Sequence, residues 1–508
     1  MKTKHIVFAT TGSLGDLHPF LALGCELKKR GHQVSIATTQ IYMANINVAG
    51  LNFHHMRPDP IPSAQFHAAF MHPVNGGQFV YKDYLAPAIE LSYEDLLVAT
   101  QNADLLISQS LMALAAPLVA KKTGIRWISA VFQPMSFFSV HDRPSYLPSN
   151  NLPSHLLQWL CAISPKIHSS VLHYVKIYTR NWVLPVITLQ QKLNLDLPIN
   201  TLQNINDYNK LESNKIIKTG QDNHSDLPFC FESTGFNGVV TAVKKPEPLT
   251  LNHAKKLSST IKTNLQTSQV SQLTSFTDEP HPMFDAQHAP RCVLAMFSPL
   301  LGGTKPDWPA QVKQTGQALY SVELNTLSED LRTFLQMQAP LVFTLSSAAS
   351  NNAGDFYSEC FKAAKALKLP ALLMTGGLSV NADLPEPLPE WARRVDYADF
   401  SLTFPYATAI VHAGGIATSF HALCAGKLQV LVPHAHDQTD NALRLQKLGV
   451  ARVIPKSKFN SRNLQQALQA LINDAPMVQR AKNLAIKANA ENGVIAACDV
   501  IESVLSDA

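Results

Sequence analysis

The chain has 508 residues, 46% hydrophobic and 16% charged, with a formal net charge of +5; that is room for two or three ordinary globular domains. So small a charge gives no footprint for nucleic acid, although a local basic patch could touch acidic lipid. Its seven cysteines are odd in number and include no Cys-x-x-Cys pair, which argues against structural zinc or a disulfide framework and fits a reducing cytoplasm.

The chain opens MKTKHIVFATTGSLGD. Its apolar run is too short for a signal segment and leads into a glycine turn, so it reads as a core strand, His5–Ala9. A loop, Thr10–Asp16, follows. Pro19 suits the first turn of a helix over Pro19–Arg30, Gly31 ends it, and Gln33–Ala37 is the next strand. The loop spacing is Gly-x-x-Gly rather than Gly-x-Gly-x-x-Gly. The second strand ends Ala37-Thr38-Thr39, where a dinucleotide fold would carry an acid for ribose, so a dinucleotide site is rejected. The loop does place Asp16 at a helix start and at the mouth of a sheet. It can act as a general base toward a hydroxyl, as an N-cap carboxylate, or as both. His18, two residues on, is the alternative base.

A similar unit spans Asp104–Ala130, with strand, helix, Gly124 and the strand Trp127–Val131. Its most apolar stretch, Leu105–Ala120, holds Ser108, Gln109 and Ser110, which favours a strand and buried helix over a membrane span. Residues His155–Trp182 turn helical, aromatic and basic, with Lys166, Lys176 and Arg180 and no acid. They read as a core-facing helix pair broken at Pro165 or, more sharply, as a surface for a lipid-like acceptor. Residues 201–280 are rich in Asn, Gln, Thr, Ser and Lys with poor periodicity, as expected of an insertion or long loop.

Globular sequence resumes with the strand Val293–Phe297 and a turn-rich segment, Gly302–Gln317. A second alternating half then begins: strand Leu341–Leu345, loop Ser346–Ser347, helix Asp355–Leu367, strand Ala371–Thr375. Alternation of this kind implies parallel sheets with helices on both faces, and two Rossmann-like halves across a cleft. The densest signal is FPYATAIVHAGGIATSFHALCAGKLQVLVPHAHDQTDN, Phe404–Asn441. The strand Ala409–Val411 delivers His412, Gly414 and Gly415 to a helix over Ile416–Ala425, with Thr418 in its first turn. Such a helix start is an anion site, because free N–H groups and the helix dipole face the ligand. The strand Gln429–Val432 then presents His434, His436, Asp437, Gln438 and Asn441 at its carboxyl edge. Asp437 and Gln438 suit vicinal hydroxyls. A metal cluster of His434, His436 and Asp437 lacks a distant partner, so no metal is expected. Amphipathic helices follow from Ser461 onward.

These stretches resemble nucleotide-sugar glycosyltransferases of the two-domain GT-B fold, in the broad group of family 1 and family 28 enzymes, and within it the rhamnosyltransferases that build glycolipids. The resemblance covers nearly the whole sequence apart from about 202–280. It rests on TTGSLGDLHPFLALG, DWP at Asp307–Pro309, GDFY at Gly354–Tyr357, and VHAGGIATS through AHDQTDNALRLQKLG. It implies an α/β architecture of two facing Rossmann-like domains: 1–310 for the acceptor, with the 201–280 insertion, and 326–490 for the donor, with a helix over 491–508.

By the same resemblance Asp16 is an acidic base, and His412, Gly414, Gly415 and Thr418 form the diphosphate turn. Asp437, Gln438 and Asn441 hold the donor sugar, Ser347 lies near the phosphates, and Tyr397 packs near the nucleobase. Gly12 and Ser13 of the first loop join this donor-binding set. Ser346, Ala413, Ala417 and Asp399 depart from the usual residues. Gln109 stands where plant relatives carry an aspartate, consistent with Asp16 acting alone. The implied activity is inverting transfer of a hexose or deoxyhexose from a UDP- or dTDP-sugar to a lipid-like or other hydrophobic acceptor. No further cofactor is expected. The expected place is the cytoplasm, with peripheral contact at the inner face of the membrane. A nucleotide-sugar epimerase of the same fold and a non-catalytic nucleotide-sugar-binding paralogue are the alternatives.

Overall fold

The computed structural model describes residues 2–142, 152–195, 280–320, 326–345, 347–350, 353–376 and 384–506. The chain divides into two compact units, Met1–Leu195 with His281–Ala508, and Asp196–Pro280. The polar stretch expected as an insertion coincides with the second unit and, Pro280 apart, lies outside the described residues.

The first unit holds two sheets. The first is built from β1 (His5–Ala9), β2 (Gln33–Thr38), β3 (Asn52–His55), β4 (Leu105–Gln109), β5 (Arg126–Val131), β6 (Val293–Ala295) and β7 (Val312–Gln314). Their spatial order is β3-β2-β1-β4-β5-β6-β7, with every neighbour parallel. The second contains β8 (Leu341–Thr344), β9 (Ala371–Met374), β10 (Ala392–Val395), β11 (Ala409–His412), β12 (Gln429–Leu431) and β13 (Ala451–Val453) in the order β10-β9-β8-β11-β12-β13, again all parallel. The α/β fold of two Rossmann-like halves expected from the alternation is therefore present.

The central strands are buried and mostly apolar because helices cover both faces. Phe8 and Ile107 pack on one side of the first sheet, Val7 and Leu106 on the other. The strands not foreseen, β3, β7, β10 and β13, are short and lie at the sheet edges. One side of an edge strand is unpaired, so residues such as His55, Lys313 and Arg393 are tolerated and mask the period.

The last helix, Gly493–Ser506, belongs to the first sheet rather than standing apart. Ala497, Cys498, Ile501 and Leu505 are buried in the core that holds Leu23 and Leu27. Outside that seam Arg30 bridges Asp499 at 2.6 Å and Glu502 at 2.7 Å, and His32 Nε2 lies 3.1 Å from Glu502. The chain thus ends by returning to its first helix, so the 1–310 boundary omits a piece of the first core. Ile501→Ala removes buried packing at that seam, and should lower unfolding free energy in denaturant titration by about 2–5 kcal/mol.

Candidate active site

In each sheet the strand order reverses once, between β1 and β4 and between β8 and β11. The connections from two such strands leave in opposite directions and open a crevice at their carboxyl ends. The residues of interest lie at these two points.

Beyond β1 the chain turns at Gly12, whose φ is +104°. A Cβ there would stand 2.5 Å from Asp16 Oδ2 and 2.9 Å from Met112 Cε, so only glycine lets the turn close over the carboxylate. The helix begins at Leu14, ahead of the expected start at Pro19. Ser13 is its N-cap and Asp16 its third residue, and together they form a capping box. Pro19 sits inside the helix. Its missing N–H leaves only the carbonyl of Gly15 without a helical donor, and Gly15 is exposed to water. Asp16 is therefore the reciprocal member of the cap, not the N-cap itself.

Asp16 Oδ2 accepts from Ser13 N at 2.7 Å and Ser13 Oγ at 3.0 Å, and Oδ1 accepts from Gln109 Nε2 at 2.7 Å. Gln109 Oε1 in turn accepts from the Thr10 hydroxyl. Gln109, where plant relatives carry an aspartate, thus bonds Asp16 through a neutral amide at the end of β4. The carboxyl is half-buried, and desolvation raises its pKa above the ordinary range, against the opposing pull of Gln109 and Ser13. Tyr42 donates to Gly12 O at 2.9 Å, and the Tyr42 and Tyr81 phenols are near enough to feel the Asp16 charge. His18 packs its ring 5.4 Å from Tyr320, and burial lowers its pKa to about 4. That removes the advantage in basicity an imidazole ordinarily holds over a carboxylate.

At the second reversal the chain leaves β11 at His412, which is 1% exposed. Its Nε2 lies 2.9 Å from Gln429 Oε1, and its Nδ1 accepts from Gly414 N at 3.1 Å. Both ring nitrogens are thus engaged, with the proton assigned to Nε2 by this network. Burial lowers the pKa to about 4, so the ring is neutral. The expected phosphate contact through a ring N–H is replaced by a structural duty, since the imidazole shapes the turn. Gly414 has φ +94°, and a Cβ there would meet the carbonyl of Gln438 at 2.9 Å. Gly415 is the N-cap of the helix Ile416–Cys424 and has no capping side chain. The first amides of that helix, including that of buried Thr418, have no intrahelical acceptor and point out of its start.

Beyond β12, Asp437 stands at the N-cap position of the helix Gln438–Leu448, its side chain making no capping hydrogen bond. Asn441 Nδ2 donates to Asp437 Oδ2 at 2.7 Å and to Gly414 O at 2.9 Å, tying the glycine turn to the polar loop. Asn441 Oδ1 is buried without a partner. Burial raises Asp437 to about 7; Asn441 opposes this and the charge of Asp16 adds to it. The Asp16 carboxylate is therefore near enough for its charge to be felt at Asp437. Gln438 Oε1 accepts from His434 N at 2.8 Å and Ala435 N at 3.2 Å, so this oxygen builds the loop and is not available to a sugar hydroxyl. His434 Nδ1 bonds Val432 O at 2.8 Å. Among the described residues no group of three or more His, Cys, Asp or Glu could hold a metal ion.

Tyr397, just beyond β10, is 67% exposed. Asp399 caps the short helix Phe400–Thr403 through Ser401 N at 2.8 Å, which accounts for an acid at that position. Ser347 opens a short helix, Ser347–Ser350; its side chain lies outside the described residues, as does Ser346.

A salt-bridge network unforeseen from the sequence joins the two sheets' loops. Arg444, in the helix Gln438–Leu448, bonds Asp440 at 2.6 Å, Asp142 at 3.2 Å and the carbonyl of Leu301 at 3.2 Å. Lys305 reaches Asp142 at 3.2 Å. Asp307 of the DWP stretch orders the same loop by accepting from Ser139 Oγ at 2.7 Å and Val140 N at 2.8 Å. His436 packs its ring 5.2 Å from Phe70. The Asp440–Arg444 spacing is readable as a helical pair, whereas Asp142, far away in the sequence, is not.

Residues 6–86 match the family model described as glycosyltransferase family 28 N-terminal domain, and residues 380–496 that described as erythromycin biosynthesis protein CIII-like, C-terminal domain. The chain is 35% identical over 216 residues to O-mycaminosyltylonolide 6-deoxyallosyltransferase of Streptomyces fradiae, covering 42% of this chain and 50% of that one. It is 28% identical over 163 residues to sterol 3-beta-glucosyltransferase of Candida albicans, covering 30% and 10%. The chain thus spans half or less of the length of these curated relatives. The solved structure of glycosyltransferase VinC in complex with dTDP superposes with a TM-score of 0.56 at 15% identity, over 99% of this chain and 100% of that one, a likeness of fold. Two parts of the chain therefore match glycosyltransferase family models, and its fold is that of the GT-B glycosyltransferase structures.

Arg444→Met strands buried Asp440 without its cation and leaves Asp142 with Lys305 alone, and should lower unfolding free energy by about 3–5 kcal/mol in denaturant titration. Gly414→Ala forces a side chain into left-handed backbone against the Gln438 carbonyl. Isothermal titration with UDP or dTDP should show about 5- to 30-fold weaker binding, as expected when strain of about 1–2 kcal/mol distorts the turn.

Proposed function

We propose that the protein is an inverting glycosyltransferase that moves a hexose or deoxyhexose from a UDP- or dTDP-sugar to a hydroxyl of a lipid-like or other hydrophobic acceptor. The observation that carries this reading is that Asp16 lies at one sheet's reversal, near enough for its charge to be felt at Asp437, while an uncapped helix start lies at the other. The acceptor oxygen attacks the anomeric carbon from the Asp16 side. The bond from that carbon to the diphosphate oxygen breaks, and its electron pair leaves with the nucleoside diphosphate. The hydroxyl proton passes to Asp16, which later releases it to water. The amides that open the helix Ile416–Cys424 stabilise the charge growing on the leaving group, so the reading assigns no cofactor. Asp437, tied to the glycine turn through Asn441, holds the donor sugar.

The raised pKa of Asp16 supports its role, since a stronger base takes a hydroxyl proton more readily. A hydrophobic acceptor is supported by the aromatic group around Phe66, with Phe70, Phe79 and Tyr84 at ring distances of 6.0, 5.4 and 5.2 Å, close to the His436 loop. The names of the two relatives, which specify a tylonolide and a sterol, agree with it. The dTDP in the VinC structure agrees with the donor class. Peripheral contact with a membrane at its cytoplasmic face is supported by the helices Leu152–Ile163 and Pro165–Thr179, which expose Trp159, Ile163, Tyr174 and Tyr178. Among the described residues no helix is long and apolar enough to cross a membrane.

Asp16→Asn should reduce transfer from labelled UDP- or dTDP-sugars to a panel of sterol and macrolide alcohols by about 10²–10⁴-fold while nucleotide binding is kept. In the wild type, kcat/KM should fall as pH drops through the Asp16 pKa, because the base must be ionised. Burial places that limb above the ordinary carboxylate range. Transfer by Asp16→Asn at the wild-type rate refutes the assignment. Release of an epimerised nucleotide-sugar would show an epimerase, and nucleotide-induced stabilisation without turnover a binding protein.

A further inference from the structure

We infer that Gln109 is a positioning residue that orients the Asp16 carboxylate and directs the acceptor's proton to Oδ1, an inference that rests on Asp16 being the base. Parallel pairing sets Ala9 beside Ser108, so the next residues, Thr10 and Gln109, leave their strands side by side at the reversal. Thr10 is 1% exposed and Gln109 2%. An ionised carboxylate only accepts, so Asp16 draws the amide N–H₂ of Gln109 toward it, and the Thr10 hydroxyl, which also lies 3.0 Å from the Thr11 carbonyl oxygen, can donate to the carbonyl end that then faces it.

The donor inventory then distinguishes the two carboxylate oxygens. Oδ2 already accepts two hydrogen bonds from Ser13, whereas Oδ1 accepts one, from Gln109. A carboxylate oxygen accommodates about two donors in its lone-pair plane, so the vacant position is on Oδ1. The helix cap fixes one oxygen and the amide fixes the plane of the other. Gln109 donates but has no basic site at neutral pH. The proton therefore stays on Asp16 instead of moving on to a second residue, as it could if position 109 were a carboxylate.

The groups near Asp16 from the other elements are Asp437 and the phenols of Tyr42 and Tyr81. None of these donates to Oδ1, and burial is what opposes ionisation. Gln109 is the donor on this oxygen that favours the ionised form.

The test is the pH profile of kcat/KM for sugar transfer in Gln109→Leu, Gln109→Glu and Thr10→Val beside wild type and Asp16→Asn. Gln109→Leu should lose about 10- to 100-fold in kcat/KM, the worth of a hydrogen bond to a charged group. Its acidic limb should move up by about one pH unit, with the KM for the nucleotide-sugar unchanged. Thr10→Val, which frees the amide to rotate, should move the limb in the same direction by less. The near-isosteric Gln109→Glu places a second carboxylate against the first and should move it further than Gln109→Leu. If Gln109→Leu does not fold, these two variants decide the matter. A limb that stays in place in Gln109→Glu and Thr10→Val overturns the inference, as does a loss confined to KM. Wild-type transfer by Asp16→Asn would instead overturn the assignment of the base.

Discussion

Everything in the proposed chemistry depends on one topological constraint. A sheet of parallel strands joined by right-handed crossovers can grow in both directions only by reversing its strand order once, and the reversal leaves a crevice at the carboxyl ends of two neighbouring strands. This chain does so twice, at β1/β4 and at β8/β11. Asp16 and Gln109 come from the first pair of strands, and His412 with its glycine turn from the second. No residue has to be placed by a long flexible loop. The β-strands fix the backbone to within the tolerance of a hydrogen bond, and short turns do the rest.

The same economy marks the side chains, most of which serve the fold and the site together. Asp16 closes the capping box of its helix while facing the cleft. Asn441 ties Asp437 to the glycine turn. His412, through both ring nitrogens, and Gln438, through its side-chain oxygen, build the turn and loop that carry the other groups. Buried polar atoms must find partners wherever they are. A polar residue at a sheet's carboxyl edge is therefore drawn into building the loop before any ligand arrives, and the ligand is left to backbone amides and to the few groups still open.

Contacts between the two halves have a different origin. The buried Arg444 network and the contact of Phe70 with His436 join loops far apart in the sequence. The last helix seals the arrangement by packing Ile501 and Leu505 into the first core. Removing two carboxylates and a guanidinium from water is costly unless their geometry is good. The DWP stretch supplies that geometry by ordering the loop that carries Asp142, and Trp308 stacks on Phe137 at 4.2 Å beneath it.

What the sequence determined by itself is local. Apolar runs bounded by glycine, and the alternation of strand and helix, are enough to specify parallel sheets, because burial on both faces demands continuous apolar strands. The glycine pair before Ile416 specifies a helix start with uncapped amides, because such amides need no partner elsewhere in the molecule. Edge strands such as β3 and β10 were hidden, since half-exposed strands carry polar residues. The tertiary structure alone decided which polar groups remain open to a ligand. Whether His412 faces a phosphate or Gln429, and whether Asp16 stands alone or beside Gln109, depends on strands that meet only when the sheet closes. Hydrogen-bond partners 17 and 93 residues apart leave no mark on local composition.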